Sequence, residues 1–131
     1  MFDKLKDNLN NSYSPYSNFK VSAIVVTKDN KYFAGVNIEN KSFGGTICAE
    51  RVAILKAVSE GHKEFKEIHI LGSEKAYPCF ICRQTFTEFF GKDTKIFIYD
   101  VDGTKEEYSM EAMCPILLMV NYESRICKCR R

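Results

Sequence analysis

The sequence predicts a single-domain α/β fold over residues 1–131, a mixed five-stranded sheet sandwiched by helices with its last two strands antiparallel. Three features point there. From residue 31 to residue 100 the chain alternates strand, helix, strand, helix, strand, an order that needs right-handed crossovers and packs helices on a sheet. Residues 19–27 are apolar on both faces, as an interior strand must be. Asp102-Gly103 favours a tight turn between two short strands. At 131 residues the chain is one domain by length, large enough to bury a core without disulfides.

Taken in order, Phe2, Leu5 and Leu9 recur at helical spacing among Lys, Asp and Asn, predicting a short amphipathic helix over residues 2–10 that covers the sheet. Residues 12–18, with Pro15 and several serines and tyrosines, form an ordered loop. The strand at 19–27 sets Val21, Ala23 and Val25 against Ile24 and Val26 and is expected at the centre of the sheet. Lys28-Asp29-Asn30-Lys31 tolerates positive φ, so residues 31–38 make its antiparallel hairpin partner, with Asn37 and Glu39 at the exit. Gly44-Gly45 serves either an unusual turn or a close approach of backbone to a ligand. Residues 48–60 are a helix ended by Gly61. Its apolar residues cover more than one face, which implies a second protein surface and a homo-oligomer. A strand at 67–71, a helix at 81–90 closed by Gly91, and strands at 95–100 and 104–108 complete the domain; the tail from about residue 121 has no assignment.

Composition excludes several classes of function. A net charge of +2, with basic and acidic residues interleaved, gives no field that would gather nucleic acid or a membrane surface. A small ligand is expected instead. No apolar segment follows Met1, and the apolar stretch at 116–120 is far too short to span a bilayer, so a cytoplasmic protein is expected. Six cysteines in a small chain suit a secreted disulfide framework, but their spacing is of the metal-binding type.

That spacing is the centre of the sequence. Cys48-Ala49-Glu50-Arg51 opens the second helix, and Pro78-Cys79-Phe80-Ile81-Cys82-Arg83 opens the third, with two thiols three residues apart on one side of a first helical turn. Three protein ligands with a fourth position open is zinc's catalytic arrangement; a structural site closes with a fourth Cys or His. Zinc brings the pKa of water to about 7, and a carboxylate that is not a ligand moves the protons. Glu50 has that place. Residues two apart on a helix point to opposite sides, so Cys48 must lie at the irregular entrance for Glu50 to face the same centre. With Cys79 placed likewise, both helix N-termini favour thiolates. Arg51 would offset their excess negative charge by hydrogen bonding to sulfur, and Arg83 is a candidate to share that task.

Plainer readings stand beside these. The three cysteines also suit a structural zinc site or a redox pair, and Glu50 a carboxylate at a helix N-terminus. His62 and His69 read as structural, Cys114 as a small buried residue, and Cys127 and Cys129 as part of a solvated basic tail.

Cys-x-Glu followed by Pro-Cys-x-x-Cys is the three-cysteine form of the zinc deaminase signature. The chain resembles the small, homotetrameric, zinc-dependent cytidine deaminases over residues 12–115. The matching segments are Tyr13-Ser14-Pro15-Tyr16-Ser17-Asn18-Phe19, Asn37-Ile38-Glu39-Asn40, Cys48-Ala49-Glu50-Arg51 running into Lys56-Ala57-Val58-Ser59-Glu60-Gly61, and Pro78-Cys79 with Cys82-Arg83-Gln84. The resemblance implies one zinc per subunit on Cys48, Cys79 and Cys82, with Glu50 shuttling protons between water, ring N3 and the leaving amino group. It implies that Asn37 and Glu39 bind the ribose hydroxyls and that Phe19 packs near the pyrimidine. Backbone groups of Ala49 and Tyr77 would read the base. The implied reaction converts cytidine and deoxycytidine to uridine and deoxyuridine with release of ammonia, in pyrimidine salvage, by a homotetramer with active sites near its subunit interfaces.

The chain departs from the family at Phe80, where a small glycine is usual, at Ser22, which replaces a glycine, and at Met113-Cys114-Pro115, where Leu-Leu-Pro is expected. Leu118 occupies the nearest equivalent of the position where the family usually supplies an aromatic that reaches a neighbouring subunit's pocket. Two rivals compete. A sister enzyme acting on an antibiotic nucleoside such as blasticidin S shares the signature and the Gly-Gly before it, but Glu39 favours ribose. A non-catalytic zinc module for nucleic acid has no basic stripe to use and leaves Glu50 without purpose.

Overall fold

The computed structural model describes residues 1–116; Leu118, Cys127 and Cys129 lie outside the described residues. Five strands, β1 (Val21–Thr27), β2 (Tyr32–Val36), β3 (Phe65–Gly72), β4 (Lys95–Tyr99) and β5 (Lys105–Tyr108), form one sheet in the order β2-β1-β3-β4-β5. β1 runs antiparallel to both β2 and β3, β3 and β4 are parallel, and β4 and β5 are antiparallel. The sheet is therefore mixed, as the alternation of elements requires. All seven residues of β1 are buried, but the middle position belongs to β3. Apolarity on both faces marks an interior strand and does not say which one.

Helix α1 (Phe2–Leu9) covers one face, packing Leu5 on Ile24, Leu71, Phe97 and Tyr99. Asn8 fastens it by donating to Ser22 Oγ and to the Gly35 carbonyl, both at 3.0 Å, so Ser22 is a buried but satisfied hydroxyl. Helices α2 (Ala49–Ser59) and α3 (Phe80–Phe89) cover the other face over Ala23, Val25, Ile68, Ile70, Ile96 and Ile98. The turns behave as their residues dictate: Asn30, Gly61 and Gly103 all take positive φ. The Gly44-Gly45 loop holds a 3-10 turn (Phe43–Gly45), the turn alternative of the two readings, whereas a short helix α4 (Met110–Met113), capped by Ser109 Oγ accepting from the Ala112 N–H, was not expected from the sequence.

His69 is structural. It stacks on Phe97 at 4.7 Å, lies 2.9 Å from Tyr99 Oη and 3.0 Å from a Glu67 carboxylate oxygen, and burial lowers its pKa.

The alanines of α2 have one purpose. Ala49, Ala53 and Ala57 recur every fourth residue, are fully buried, and let the helix lie directly on β2. A Cβ on Gly35 would come within 2.4 Å of the Ala53 nitrogen and 2.6 Å of the Ala49 carbonyl oxygen. Both are helix backbone and cannot turn aside. Gly35→Ala is therefore expected to destabilise the fold by about 1–3 kcal/mol, read as a lower urea midpoint at unchanged slope; an unchanged midpoint would show that α2 can shift freely.

Candidate active site

Cys48 is the N-cap of α2 and Cys79 the N-cap of α3, both with extended backbone at φ −71° and −70°. This is the entrance geometry that a thiol and a carboxylate two residues apart require. Cys82 follows in the first turn of α3 and is fully buried. The three sulfurs lie within 4.8 Å of one another, with Cys48 and Cys79 at 3.7 Å. Among the described residues no fourth His, Cys, Asp or Glu joins them. Two helix N-termini aim partial positive charge at the group.

The electrostatics follow from that crowding. The Cys48 thiol is pulled down to about 5, first by hydrogen bonding from Cys82 and then by Arg51, whose Nη2 donates to Cys48 Sγ at 3.4 Å. Cys82, holding the proton, is pushed up by the same contact. Glu50 is 4% exposed, and burial raises its carboxyl to about 7 with the Cys48 thiolate pushing the same way. Three sulfurs within reach of one point, one of them the acidified Cys48, beside a buried proton carrier fit a zinc ion with one open position.

Arg83 does not share the sulfur contact. It lies one position beyond Cys82 and turns the other way, donating to the Pro78 carbonyl at 2.9 Å and to the Met113 carbonyl at 3.2 Å. Cys114 is buried beside it, with Sγ 3.5 Å from the Arg83 carbonyl. Phe80 takes up no core space; it stands 85% exposed with the Arg83 guanidinium over its ring.

The segments expected to bind a ligand are woven to the cysteines by backbone. Ile38 and Ile47 exchange hydrogen bonds at 2.9 and 3.0 Å, which seats Glu39 beside the approach to Cys48. Tyr13 bonds to the Asn37 carbonyl, and the Glu39 N–H to the Tyr13 carbonyl. Glu39 accepts from the Tyr16 and Ser17 N–H groups at 3.0 and 3.1 Å and from Ser17 Oγ, which lowers its pKa. A cleft of about 350 Å³ opens there between Tyr16, Ser17, Glu39, Phe43 and Thr46.

Asn37 is buried and heavily used. Its Oδ1 accepts from Ser12 Oγ and the Val21 N–H, and Nδ2 donates to the Phe19 carbonyl, leaving one N–H for a ligand. Phe19 packs against the core, Ala49 is fully buried, and the Tyr77 side chain is half exposed and turned towards β5. A larger surface cavity, about 500 Å³, lies at the far end of α2 around Gly61 and His62, whose Nδ1 is 3.9 Å from an Asp29 carboxylate oxygen. Sequence reasoning missed Ser12 and Ser17, whose hydroxyls set Asn37 and Glu39. The signals available were their positions within a serine-rich loop and, for Ser17, its place in the matching segment from Tyr13 to Phe19.

A family model described as the cytidine and deoxycytidylate deaminase zinc-binding region matches residues 1–99. The chain is similar to the cytidine deaminase of Mycoplasma genitalium, 39% identical over 78% of this chain and 80% of the relative. It is also 39% identical to that of Halalkalibacterium halodurans, over 79% of this chain and 80% of the relative. Its fold superposes on the crystal structure of cytidine deaminase from Burkholderia pseudomallei with a TM-score of 0.83 and 34% identity, covering 88% of this chain and 94% of that one. Such identity over most of the length of both partners goes beyond a shared fold, and the chain belongs to the cytidine deaminase family of hydrolytic enzymes.

Proposed function

We propose that this single domain hydrolyses cytidine and deoxycytidine to uridine and deoxyuridine with release of ammonia, as a step of pyrimidine salvage, using one zinc per subunit on Cys48, Cys79 and Cys82. The observation that carries the reading is the buried Glu50, raised to about 7, beside three sulfurs within 4.8 Å. A zinc ion there would bring the pKa of a water down to about 7. Glu50 would take one proton from the attacking water and deliver it to ring N3 as the oxygen bonds to C4, then take the remaining hydroxyl proton and deliver it to the amino nitrogen as the C4–N bond breaks, leaving a C4 carbonyl and ammonia. Arg51 holds the thiolate charge in check, Phe19 packs near the pyrimidine, and backbone groups of Ala49 and Tyr77 read the base. The remaining N–H of Asn37 and the Glu39 carboxylate take the sugar hydroxyls.

We also assign a homotetramer. Leu55, Phe80 and Ile81 are 46%, 85% and 62% exposed around one groove on the α2 and α3 side, an apolar surface suited to another subunit. Light scattering that finds only monomer would withdraw the tetramer and leave the chemistry untouched. Among the described residues no helix is long and apolar enough to cross a membrane. The cysteines among them are free thiols, which suits a reducing cytoplasm.

Purified zinc-loaded protein is to be incubated with cytidine, deoxycytidine and blasticidin S while ultraviolet absorbance and ammonia are followed. Conversion of the two nucleosides is expected. Conversion of the antibiotic alone transfers the chain to the sister activity, and conversion of none removes the enzymatic reading.

A further inference from the structure

The segment from Ser73 to Cys79 joins β3 to α3, has no regular secondary structure, and carries Tyr77 two residues before the clustered Cys79. Its start is tied by the Ser73 N–H donating to the Lys20 carbonyl at 2.8 Å, and its end by Arg83 donating to the Pro78 carbonyl at 2.9 Å. Between these ties, beyond the buried Ala76, polar contacts from the segment converge on one carboxylate. Glu106 of β5 accepts from Lys75 Nζ on one oxygen and from the Tyr77 and Tyr108 hydroxyls on the other, Tyr77 at 3.3 Å. The Tyr108 ring meets that of Tyr77 edge-on at 6.3 Å, and Lys75 also lies 3.9 Å from Asp100. Alternation along β5 turns Glu106 and Tyr108 towards this segment and Lys105 and Glu107 away from it. Glu106 thus has three donors from two elements, which hold its carboxyl below the usual range, Lys75 most of all.

We infer that Glu106 is a positioning residue for the deaminase site, holding Tyr77 and through it the approach to Cys79; this rests on the function proposed above. Partly exposed ion pairs and hydrogen bonds of this kind add little to stability. Their effect falls on geometry instead, and a displacement of about 1 Å near reacting groups can lower rates by about 10²-fold. The zinc-loaded protein and its Glu106→Ala, Glu106→Gln, Tyr77→Phe and Glu106→Ala/Tyr77→Phe variants are to be compared. Glu106→Ala is expected to lower kcat/KM for cytidine by about 10-fold with an unchanged melting temperature and full zinc content, and to lose zinc faster to a chelator. Glu106→Gln, which keeps an acceptor for the tyrosines, is expected to recover part of the loss. In the Tyr77→Phe background Glu106→Ala is expected to do less than in the wild type, because both act through one contact.

Unchanged kinetics and unchanged zinc loss in Glu106→Ala overturn the inference. So does a loss of activity that merely tracks a fallen melting temperature and adds independently to Tyr77→Phe. If the wild type itself leaves cytidine intact, the deaminase reading fails, and the chelator measurement still decides whether Glu106 holds the segment that carries Cys79.

Discussion

Glu50→Gln is expected to retain stoichiometric zinc and lose about 10²–10⁴-fold in turnover, the range that acid–base groups contribute. The amide matches the carboxylate in shape, so packing against the buried first turn of α2 survives. What disappears is the capacity to take up a proton. The proposed reaction uses Glu50 twice, first to accept from water and then to donate to the departing nitrogen, so both halves fail together. The sign of the pH effect follows. Burial favours the neutral carboxyl, yet the first step needs the ionised one, so wild-type kcat/KM falls as acid protonates Glu50. The Gln variant loses that acid limb. Metal analysis, single-turnover ultraviolet kinetics and a pH series check all three statements, and an unimpaired variant contradicts the mechanism.

Cytosine is expected to be a far poorer substrate than cytidine, by up to about 10⁴-fold in kcat/KM. The free base carries the whole reacting centre and lacks only the sugar. Discrimination on this scale arises when a site's polar groups are left unpaired, and the groups concerned are the Asn37 N–H and the Glu39 carboxylate. Three donors from Tyr16 and Ser17 hold Glu39 in one orientation beforehand, so little is lost in ordering it when the sugar arrives. Matched kinetics on the base and the nucleoside check this. Equal activity would refute the sugar role of both residues.

Local signals made most of the architecture legible. β1 announced itself by apolar residues on both faces, the hairpins by Asn30 and by Asp102-Gly103, and the end of α2 by Gly61 at positive φ. The cluster was legible because chemistry constrained it: a thiol and a carboxylate two residues apart can converge only if the thiol caps the helix, and Cys48 does. What stayed hidden depends on tertiary direction. Nothing in a linear pattern says that Arg83 turns to the Pro78 carbonyl while Arg51 turns to sulfur, since each follows a cysteine by one or three residues on a short helix. The alanines of α2 were counted simply as apolar, whereas their small size answers to the bare backbone of Gly35 across from them. Tertiary contacts also decided that Asn37 spends most of its amide on the loop containing Ser12 and Phe19.

The N-cap residues of α2 and α3 are both cysteines, and neither side chain caps its helix with a hydrogen bond. Helices usually start with Ser, Thr, Asp or Asn because an oxygen there satisfies a free amide. This chain gives up that oxygen at both places, so the cation that the sulfurs share would also be a rivet between two helical beginnings that lack a side-chain cap. Catalytic competence and the order of the surrounding backbone would then come and go as one.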